Sequence, residues 1–250
     1  MKVVFHDFFL NIYAGDPAAT PHRLDHALAL VKEKYPLIEA SPCSDEDVLL
    51  VHEPSHLNYV KKDEDVYRMA LLAAGASIKA SQLAMAGEKA FALCRPPGHH
   101  AGPDRSWGFC YFNNVAIAVQ RLIEQGEINK ALIIDFDLHF GDGTDNIFAG
   151  KHNVSYYHGE GEANTLFINN LKKYLETAEA DLLAVSAGFD RHQQDWGRML
   201  ATEDYGTIGK ILGYFARDKC EGRLFAVLEG GYNSRSLGEA LIAFLDGLSG

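Results

Sequence analysis

Short apolar runs alternate with longer amphipathic segments along almost the whole chain. Several runs have no polar alternation, as in ALIIDF and LLAVSAG, which is typical of strands buried on both faces. The predicted strands are Lys2–Phe5, Val48–Val51, Ala90–Leu93, Ala131–Phe136, Asn153–Tyr157, Leu182–Ser186 and Leu224–Leu228. The predicted helices are His22–Tyr35, Asp65–Ala86, Asn114–Gln125, Asp145–Ala149, Leu166–Thr177, Asp204–Asp218 and Ser234–Leu248. This alternation predicts an α/β fold with a mostly parallel central sheet flanked by helices.

No linker rich in Pro, Gly or Ser interrupts the pattern, and 250 residues is a usual length for one α/β domain. We therefore expect residues 1–250 to form a single domain. The longest stretch without periodicity is Cys94–Phe112, which is rich in Gly, Pro, His and aromatic residues. Irregular loops of this length in compact domains are often functional.

Composition and charge narrow the classes of function. The chain has 23 Lys and Arg against 34 Asp and Glu, for a net charge of −11. This balance argues against direct nucleic-acid binding and suits a cationic substrate. The four cysteines form no CxxC pair, which indicates reduced thiols. Neither a signal peptide nor a membrane-spanning run is visible, so we expect a cytoplasmic protein without membrane contact, of undetermined oligomeric state.

Polar side chains follow three of the predicted strands, at the edge where parallel sheets bind ligands. In ALIIDFDLHFGDG the residues Asp135, Asp137 and His139 alternate, so they share one face if the strand continues. Asp190 ends LLAVSAGFD, and Tyr232 follows two glycines in AVLEGGYN. Two carboxylates and one imidazole suit Zn²⁺ with a position left open for water. The alternative is that the carboxylates cap helices and the histidine is an ordinary loop residue.

The loop RPPGHHAGPDRSWGFCYFNN contains the adjacent histidines His99 and His100. Histidine exchanges protons near neutral pH, which suits general acid–base catalysis. Each ring needs a partner that fixes its tautomer, and the carboxylates of Asp135 and Asp142 are candidates. A second metal site and a solvated loop remain as alternatives. Phe109 in the same loop is a candidate for an apolar wall.

Four blocks, RPPGHHAGPD…GFCYFNN, IIDFDLHFGDGT, VSAGFD and LEGGYN, resemble the histone deacetylase family in this order. They are most similar to its bacterial and archaeal deacetylase-like and acetylpolyamine amidohydrolase branch. The resemblance covers nearly the whole chain. It implies a single α/β domain related to arginase, with a sheet of about eight strands. It also implies zinc-dependent removal of an acetyl or short acyl group from a lysine side chain, a polyamine or another primary amine.

The resemblance implies that Asp137, His139 and Asp190 bind one Zn²⁺ per chain. It also implies a structural K⁺ near Asp135, Asp137 and His139. The family usually has a serine where this chain has Tyr156. This position belongs to the segment that partly holds the potassium in the family, so the site differs here at one residue.

The remaining roles concern proton transfer and the carbonyl of the substrate. By resemblance, His99 and His100 are the proton-transfer pair, with Asp135 behind the first and Asp142 behind the second. Tyr232 matches the tyrosine that donates a hydrogen bond to the substrate carbonyl.

The substrate channel is where the chain departs most from the family. Gly108 and Phe109 match one wall of the acyl-lysine tunnel. The stretches Tyr156–Asp181 and Val60–Met69 are short, so the second aromatic wall has no counterpart in the sequence. We therefore expect an open site in which Phe109 is the only aromatic wall.

Two other functions fit the same fold. An arginase-like ureohydrolase with two manganese ions would use DxHxD ligand sets, whereas this chain has Asp-x-Asp-x-His. A catalytically weak protein that only binds acylated amines would not need an intact set of metal-binding and proton-transfer residues.

Overall fold

The structure is a computed structural model that describes residues 1–250. Its strands are β1 (Lys2–Phe5), β2 (Leu37–Glu39), β3 (Ala90–Ala92), β4 (Ala131–Asp135), β5 (Val154–His158), β6 (Leu182–Ala187) and β7 (Leu224–Leu228). Its helices are α1 (Asp25–Lys34), α2 (Asp45–Val48), α3 (Pro54–Val60), α4 (Glu64–Met85), α5 (Asn114–Glu124), α6 (Asp142–Phe148), α7 (Asn164–Leu175), α8 (Thr202–Lys219) and α9 (Ser234–Ser249). All seven strands are parallel, in the order β2-β1-β3-β7-β6-β4-β5. The α/β class and the helix-flanked parallel sheet are confirmed.

The central strands are buried on both faces. Every residue of β3, β4, β6 and β7 is buried. Among the helices, α4 packs with α5, while α9 packs with α1 and α8. The ring of Phe244 on α9 contacts Phe91 of β3 and Phe136, just after β4. Burying a side chain of this size contributes about 1.5–3 kcal/mol, so the strands form a rigid support for the loops at their ends.

The carboxyl ends of the central strands lie level with one another. Asp135 at the end of β4 is opposite Ser186 of β6 and His158 of β5. Ala187 of β6 is opposite Leu228 of β7. The residues that follow these strands therefore emerge at one edge of the sheet, where parallel α/β folds bind ligands.

Side-chain caps fix the points where the edge loops end. Asn113 precedes α5 and accepts from the backbone N–H of Ala116 at 3.1 Å. Asn233 precedes α9 and accepts from the backbone N–H of Ser236 at 3.2 Å. Such caps are each worth about 1 kcal/mol. They set the length of the loops that carry the candidate residues.

One predicted strand is wrong. Val48–Val51 is not a strand, because Ser44 forms a capping box with Asp47 and begins the short helix α2. The edge strand is instead Leu37–Glu39, which pairs in parallel with β1. It was missed because it is only three residues long and not buried. The sheet has seven strands, one fewer than the resemblance implied.

No helix is both long and apolar enough to cross a membrane. None of the four cysteines is paired, in line with the predicted reduced thiols, and all four are buried: Cys43, Cys94, Cys110 and Cys220.

Candidate active site

Two buried carboxylates connect the ends of three strands. Asp137 follows β4, and its Oδ1 accepts from the backbone N–H of His139 at 2.9 Å. Its Oδ2 accepts from the backbone N–H of Gly230, after β7, at 2.8 Å. Asp190 follows β6, and its Oδ1 accepts from the backbone N–H of Leu138 at 3.0 Å. Each carboxylate is therefore held in one orientation by the backbone.

These carboxylates and His139 form a candidate metal centre. The ligand atoms of Asp137, His139 and Asp190 lie within 4.8 Å of one another. His139 Nδ1 is 3.4 Å from Asp137 Oδ1 and 3.2 Å from Asp190 Oδ2. Asp190 Oδ2 is buried, and its approach to His139 lacks the angle of a hydrogen bond, so it has no donor. Burial and the charge of Asp137 raise the pKa of Asp190 to about 6. An unpartnered buried carboxylate oxygen beside an imidazole fits a divalent metal with mixed N and O ligands.

Two glycines leave room for the carboxylates. A Cβ at Gly188 would lie 2.1 Å from Asp137 Oδ2. A Cβ at Gly230 would lie 2.6 Å from Asp137 Oδ2 and 2.7 Å from Asp190 Oδ2. Only a residue without a side chain allows the backbone to come this close, so both glycines are required by the geometry of the centre.

The two adjacent histidines have separate carboxylate partners. His99 Nδ1 is 3.0 Å from Asp135 Oδ2, which also accepts from the Tyr156 hydroxyl at 2.9 Å. His100 Nδ1 is 2.7 Å from Asp142 Oδ1. Because a carboxylate only accepts, Nδ1 of each ring carries a proton. Nε2 is therefore the ring nitrogen left for chemistry.

The pKa values of the two rings are shifted in opposite directions. Burial lowers the pKa of both. For His99 the carboxylates of Asp137 and Asp135 outweigh burial and hold the pKa well above its usual value. For His100 burial and the neighbouring His99 outweigh Asp142, and the pKa is lowered. These surroundings therefore favour the charged form of His99 and the neutral form of His100.

Trp107 supports His100 from the outer side. Its indole N–H donates to Asp142 Oδ2 at 2.9 Å, and its ring lies 4.0 Å from that of His100, centre to centre. The sequence analysis did not predict this contact. Trp107 lies within the loop it singled out, but nothing in the motif connects the indole with a carboxylate 35 residues away.

Glu229 at the end of β7 was also missed. Its Oε2 accepts from the backbone N–H groups of Gly98 at 2.7 Å and His99 at 3.1 Å. Its Oε1 accepts from the Ser186 hydroxyl at 3.0 Å. Burial raises the pKa of Glu229 to about 7. Its oxygens thus position the loop that carries His99 and His100. His99, Cys110 and Glu229 also lie close enough to one another to share a metal. The sequence signal that could have identified Glu229 is a charged residue at the end of an otherwise apolar strand.

Aromatic rings from separate loops form the mouth of the site. Gly108 and Phe109 both have positive φ, +59° and +66°, which is unfavourable for phenylalanine and marks a locally strained loop. The Phe109 ring centre is 6.0 Å from Tyr232 and 6.5 Å from Trp196. Trp196 stacks on Tyr232 with ring centres 4.0 Å apart.

The expectation that Phe109 is the only aromatic wall is wrong. Trp196 comes from the turn after β6 and lies edge-to-face against Phe109, while Trp107 lies on the His100 side. These are the only two tryptophans of the chain, with 48% and 55% of the residue exposed. Two exposed tryptophans in strand-end loops were the signal that could have found this wall.

Hydrogen bonds hold the backbone on both sides of Tyr232. Asp195 Oδ2 accepts from the backbone N–H of Tyr232 at 2.7 Å and of Asn233 at 2.8 Å. The Arg23 guanidinium lies 5.2 Å from the centre of the Tyr232 ring and donates to the Gly231 carbonyl at 2.7 Å. Burial and the charge of Asp137 hold the pKa of Tyr232 well above its usual value. The phenol therefore stays protonated and available as a donor.

The structure brings all ten predicted site residues to one cavity of about 120 Å³ or directly behind it. The lining residues are Pro97, His99, His100, Trp107, Gly108, Phe109, His139, Trp196 and Tyr232. The carboxylates that contact these histidines are Asp135, Asp137, Asp142 and Asp190. Such a site can bind a metal, move a proton and donate a hydrogen bond to a substrate.

Comparisons with known proteins identify the family. The family model of the histone deacetylase domain matches residues 18–159 and 157–248. A probable deacetylase of Methanothermobacter thermautotrophicus is 32% identical, over 85% of this chain and 79% of its own. A histone deacetylase-like amidohydrolase of Pseudomonas aeruginosa is 28% identical, over 86% and 70%. The crystal structure of the HDA15 HD domain superposes with a TM-score of 0.87 at 26% identity, over 99% of this chain and 88% of that one.

The family match spans nearly the whole chain, and the archaeal relative exceeds 30% identity over most of its length. This chain therefore belongs to the histone deacetylase family of hydrolases.

Proposed function

We propose that this protein is a zinc-dependent amidohydrolase that removes an acetyl or short acyl group from a lysine side chain, a polyamine or another primary amine. One observation carries the proposal. The Asp137–His139–Asp190 centre, the His99–His100 pair and Tyr232 meet at a single small cavity. The buried, unpaired cysteines favour a reducing compartment such as the cytoplasm.

The metal ligands in this proposal are Asp137, His139 and Asp190. A bound Zn²⁺ would lower the pKa of a water molecule and polarise the acyl carbonyl. The protein's contribution is to keep the two carboxylates fixed by backbone N–H groups, so that few motions need to be frozen when the substrate arrives.

His100 is the proton acceptor. Its pKa is lowered, so Nε2 is free to accept a proton from water at neutral pH. Asp142 holds the opposite nitrogen protonated and stabilises the imidazolium after the transfer. The same ring then donates the proton to the leaving amine, which departs as a neutral product.

His99 acts electrostatically. Its ring is buried between Asp135 and Asp137, with Nε2 3.8 Å from Asp137 Oδ1. A positive charge here offsets the carboxylates and keeps His100 in its neutral form. It also favours negative charge that develops at the acyl oxygen.

Tyr232 donates its hydroxyl hydrogen to the acyl oxygen as it becomes an oxyanion. The ring stacks on Trp196, and the backbone is held by Asp195. The donor is therefore oriented before the reaction begins.

The mouth suits an acyl group carried on a linear amine chain. Phe109 and Trp196 are in edge-to-face contact, with ring centres 6.5 Å apart and planes inclined by 69°, and together with Tyr232 they offer apolar surface to such a chain at the entrance. A wider depression of about 770 Å³ shares Trp196 and Tyr232 with the cavity. We expect the rest of the substrate to lie in this depression. The net charge of −11 favours cationic amines.

The test is hydrolysis of a matched panel by zinc-loaded protein. The panel contains acetyl-lysine peptides, acetylated polyamines, longer acyl-lysines and arginine. We expect release of acetate or a short acid from at least one acylated amine and no urea from arginine. Binding of acylated amines without turnover would instead identify a binding protein, and urea release would identify an arginase-like enzyme.

A further inference from the structure

A buried arginine lies under the turn that carries the candidate metal ligands. Arg191 directly follows Asp190 and is 7% exposed. Its Nε donates to the backbone carbonyls of Asp137 at 2.9 Å and Phe136 at 3.2 Å. Its Nη2 donates to the carbonyl of Gly159, after β5, at 3.0 Å. One guanidinium thus connects the ends of β4, β5 and β6.

The charge of this guanidinium is met by carbonyl oxygens and by the His158 ring, whose Nε2 is 3.0 Å from Nη2, rather than by a carboxylate. Arg191 forms no ion pair, and Nη2 is also 3.5 Å from the Leu138 carbonyl. Three consecutive carbonyls, those of residues 136–138, therefore point towards one cation. The ring of Phe167 covers the guanidinium at 5.0 Å. A buried charge is retained only where such groups compensate it.

The potassium ion implied by the family resemblance does not fit these residues. Asp135 Oδ2 accepts from the Tyr156 hydroxyl at 2.9 Å, and the Asp135 carbonyl accepts from the backbone N–H of Gly159 at 2.7 Å. The Asp137 carbonyl accepts from Arg191. A second cation at the same oxygens would be repelled by the guanidinium at short range.

We propose that Arg191 is a built-in cation that, together with the hydrogen bond from the Tyr156 hydroxyl to Asp135, orders the turn after β4 without potassium. Asp190 accepts a hydrogen bond from the backbone N–H of Leu138, and Arg191 donates to the neighbouring backbone carbonyls. The two residues therefore bind both the donors and the acceptors of the turn. Arg191 is a positioning residue: it sets the backbone from which Asp137 and His139 reach the metal. The proposal rests on the metal-binding part of the proposed function and not on the identity of the substrate.

The first experiment uses the unmodified protein. Its Zn²⁺ affinity is measured by competition with a chelating dye, and its melting temperature by thermal unfolding without zinc. Both are compared in potassium and tetramethylammonium chloride at equal ionic strength. We expect the affinity to change by less than about twofold, since outer partners of ligands act strongly only when they are lost. The melting temperature should not depend on the cation.

The second experiment removes the charge. In Arg191→Ala, zinc affinity should fall about 10–100-fold in tetramethylammonium, the usual effect of losing an outer partner. Potassium should restore part of it. Arg191→Lys should stay closer to the native protein in both salts. Arg95→Ala is the matched control, because Arg95 is also a buried arginine bound to backbone carbonyls, those of Phe9 and Thr20, and it bonds none of the candidate metal ligands. It should lower stability without changing zinc affinity.

A native protein whose zinc affinity falls about tenfold when potassium is withdrawn would overturn the proposal. Unchanged zinc affinity in Arg191→Ala would overturn it as well. If Arg191→Ala does not fold, the native series and Arg191→Lys decide the question. Absence of zinc binding in every salt would instead contradict the proposed metal centre. In that case the dependence of the melting temperature on the cation would still show whether Arg191 replaces potassium.

Discussion

The strand-end centre and the aromatic mouth are built in opposite ways. At the centre, Asp137 and Asp190 are buried and held by backbone N–H groups of neighbouring strand ends. At the mouth, Trp107 and Trp196 are about half exposed, and the Trp196 ring is held by stacking on Tyr232 and by edge contacts with Phe109 and His139.

This difference in burial corresponds to two different tasks, stabilising the transition state and selecting the substrate. Groups that stabilise a transition state must be fixed before the reaction, which requires a rigid and buried support. Groups that select a substrate only need to present apolar surface at the entrance, and loops can supply it. Changes at the centre should therefore affect kcat by orders of magnitude, and changes at the mouth should affect KM and selectivity modestly.

The largest effect is expected when the centre loses a ligand. His139→Ala leaves two buried carboxylates without their imidazole, so we expect bound zinc to fall by about one ion per chain, together with nearly all activity. Metal content by elemental analysis and initial rates check this. His152→Ala, at an exposed position, is the control. Equal metal content in His139→Ala and the control would contradict the assignment.

The next effect concerns the proton acceptor. His100→Ala should lower kcat about 10²–10⁴-fold while metal content stays unchanged. In the native enzyme the pKa of His100 lies below its usual value, so its base form persists at lower pH. The acid limb of kcat/KM should therefore have its midpoint below pH 6.5, the ordinary value for histidine. A midpoint above it, or native turnover in His100→Ala, would refute this role.

The sequence predicted the centre far better than the mouth. Asp137, His139 and Asp190 follow apolar runs long enough to be read as buried strands, and parallel strands bring their ends to one edge whatever the loops do. The Glu229 contact with the loop of His99 joins residues 130 positions apart, and the stacking of Trp196 on Tyr232 depends on the path of a turn. No local pattern encodes either contact. The strand at Leu37–Glu39 was missed for a related reason, since three half-exposed residues give no measurable period.

Tyr232 belongs to both regions, because its hydroxyl serves the chemistry while its ring forms part of the mouth. Tyr232→Phe keeps the stacking surface for Trp196 and removes only the donor. Losing one oxyanion donor typically costs about 10²–10³ in kcat, so we expect that loss with little change in KM. Steady-state kinetics beside Tyr214→Phe, at an exposed position, measure the effect. A change confined to KM would mean that Tyr232 only holds substrate.

The smallest effect, and the sharpest test of the comparison, is expected at Trp196. Replacing it by alanine removes the ring that contacts Phe109 and the edge of His139, but leaves Asp137, Asp190 and the tandem histidines unchanged. An apolar contact of this kind is worth about 1–3 kcal/mol, so KM for an acylated amine should rise roughly tenfold or more while kcat stays within a few-fold. Preference for acetyl over longer acyl groups should weaken, since less apolar surface then distinguishes one methylene from the next. Trp196→Phe keeps a ring at the mouth, so its KM should lie between those of the native protein and Trp196→Ala.

The measurement is kcat and KM for an acyl-length series on one amine, with metal content determined in parallel. A large loss of kcat in Trp196→Ala at full metal content would show that the stacking on Tyr232 positions the donor, and that the mouth and the centre are not separable.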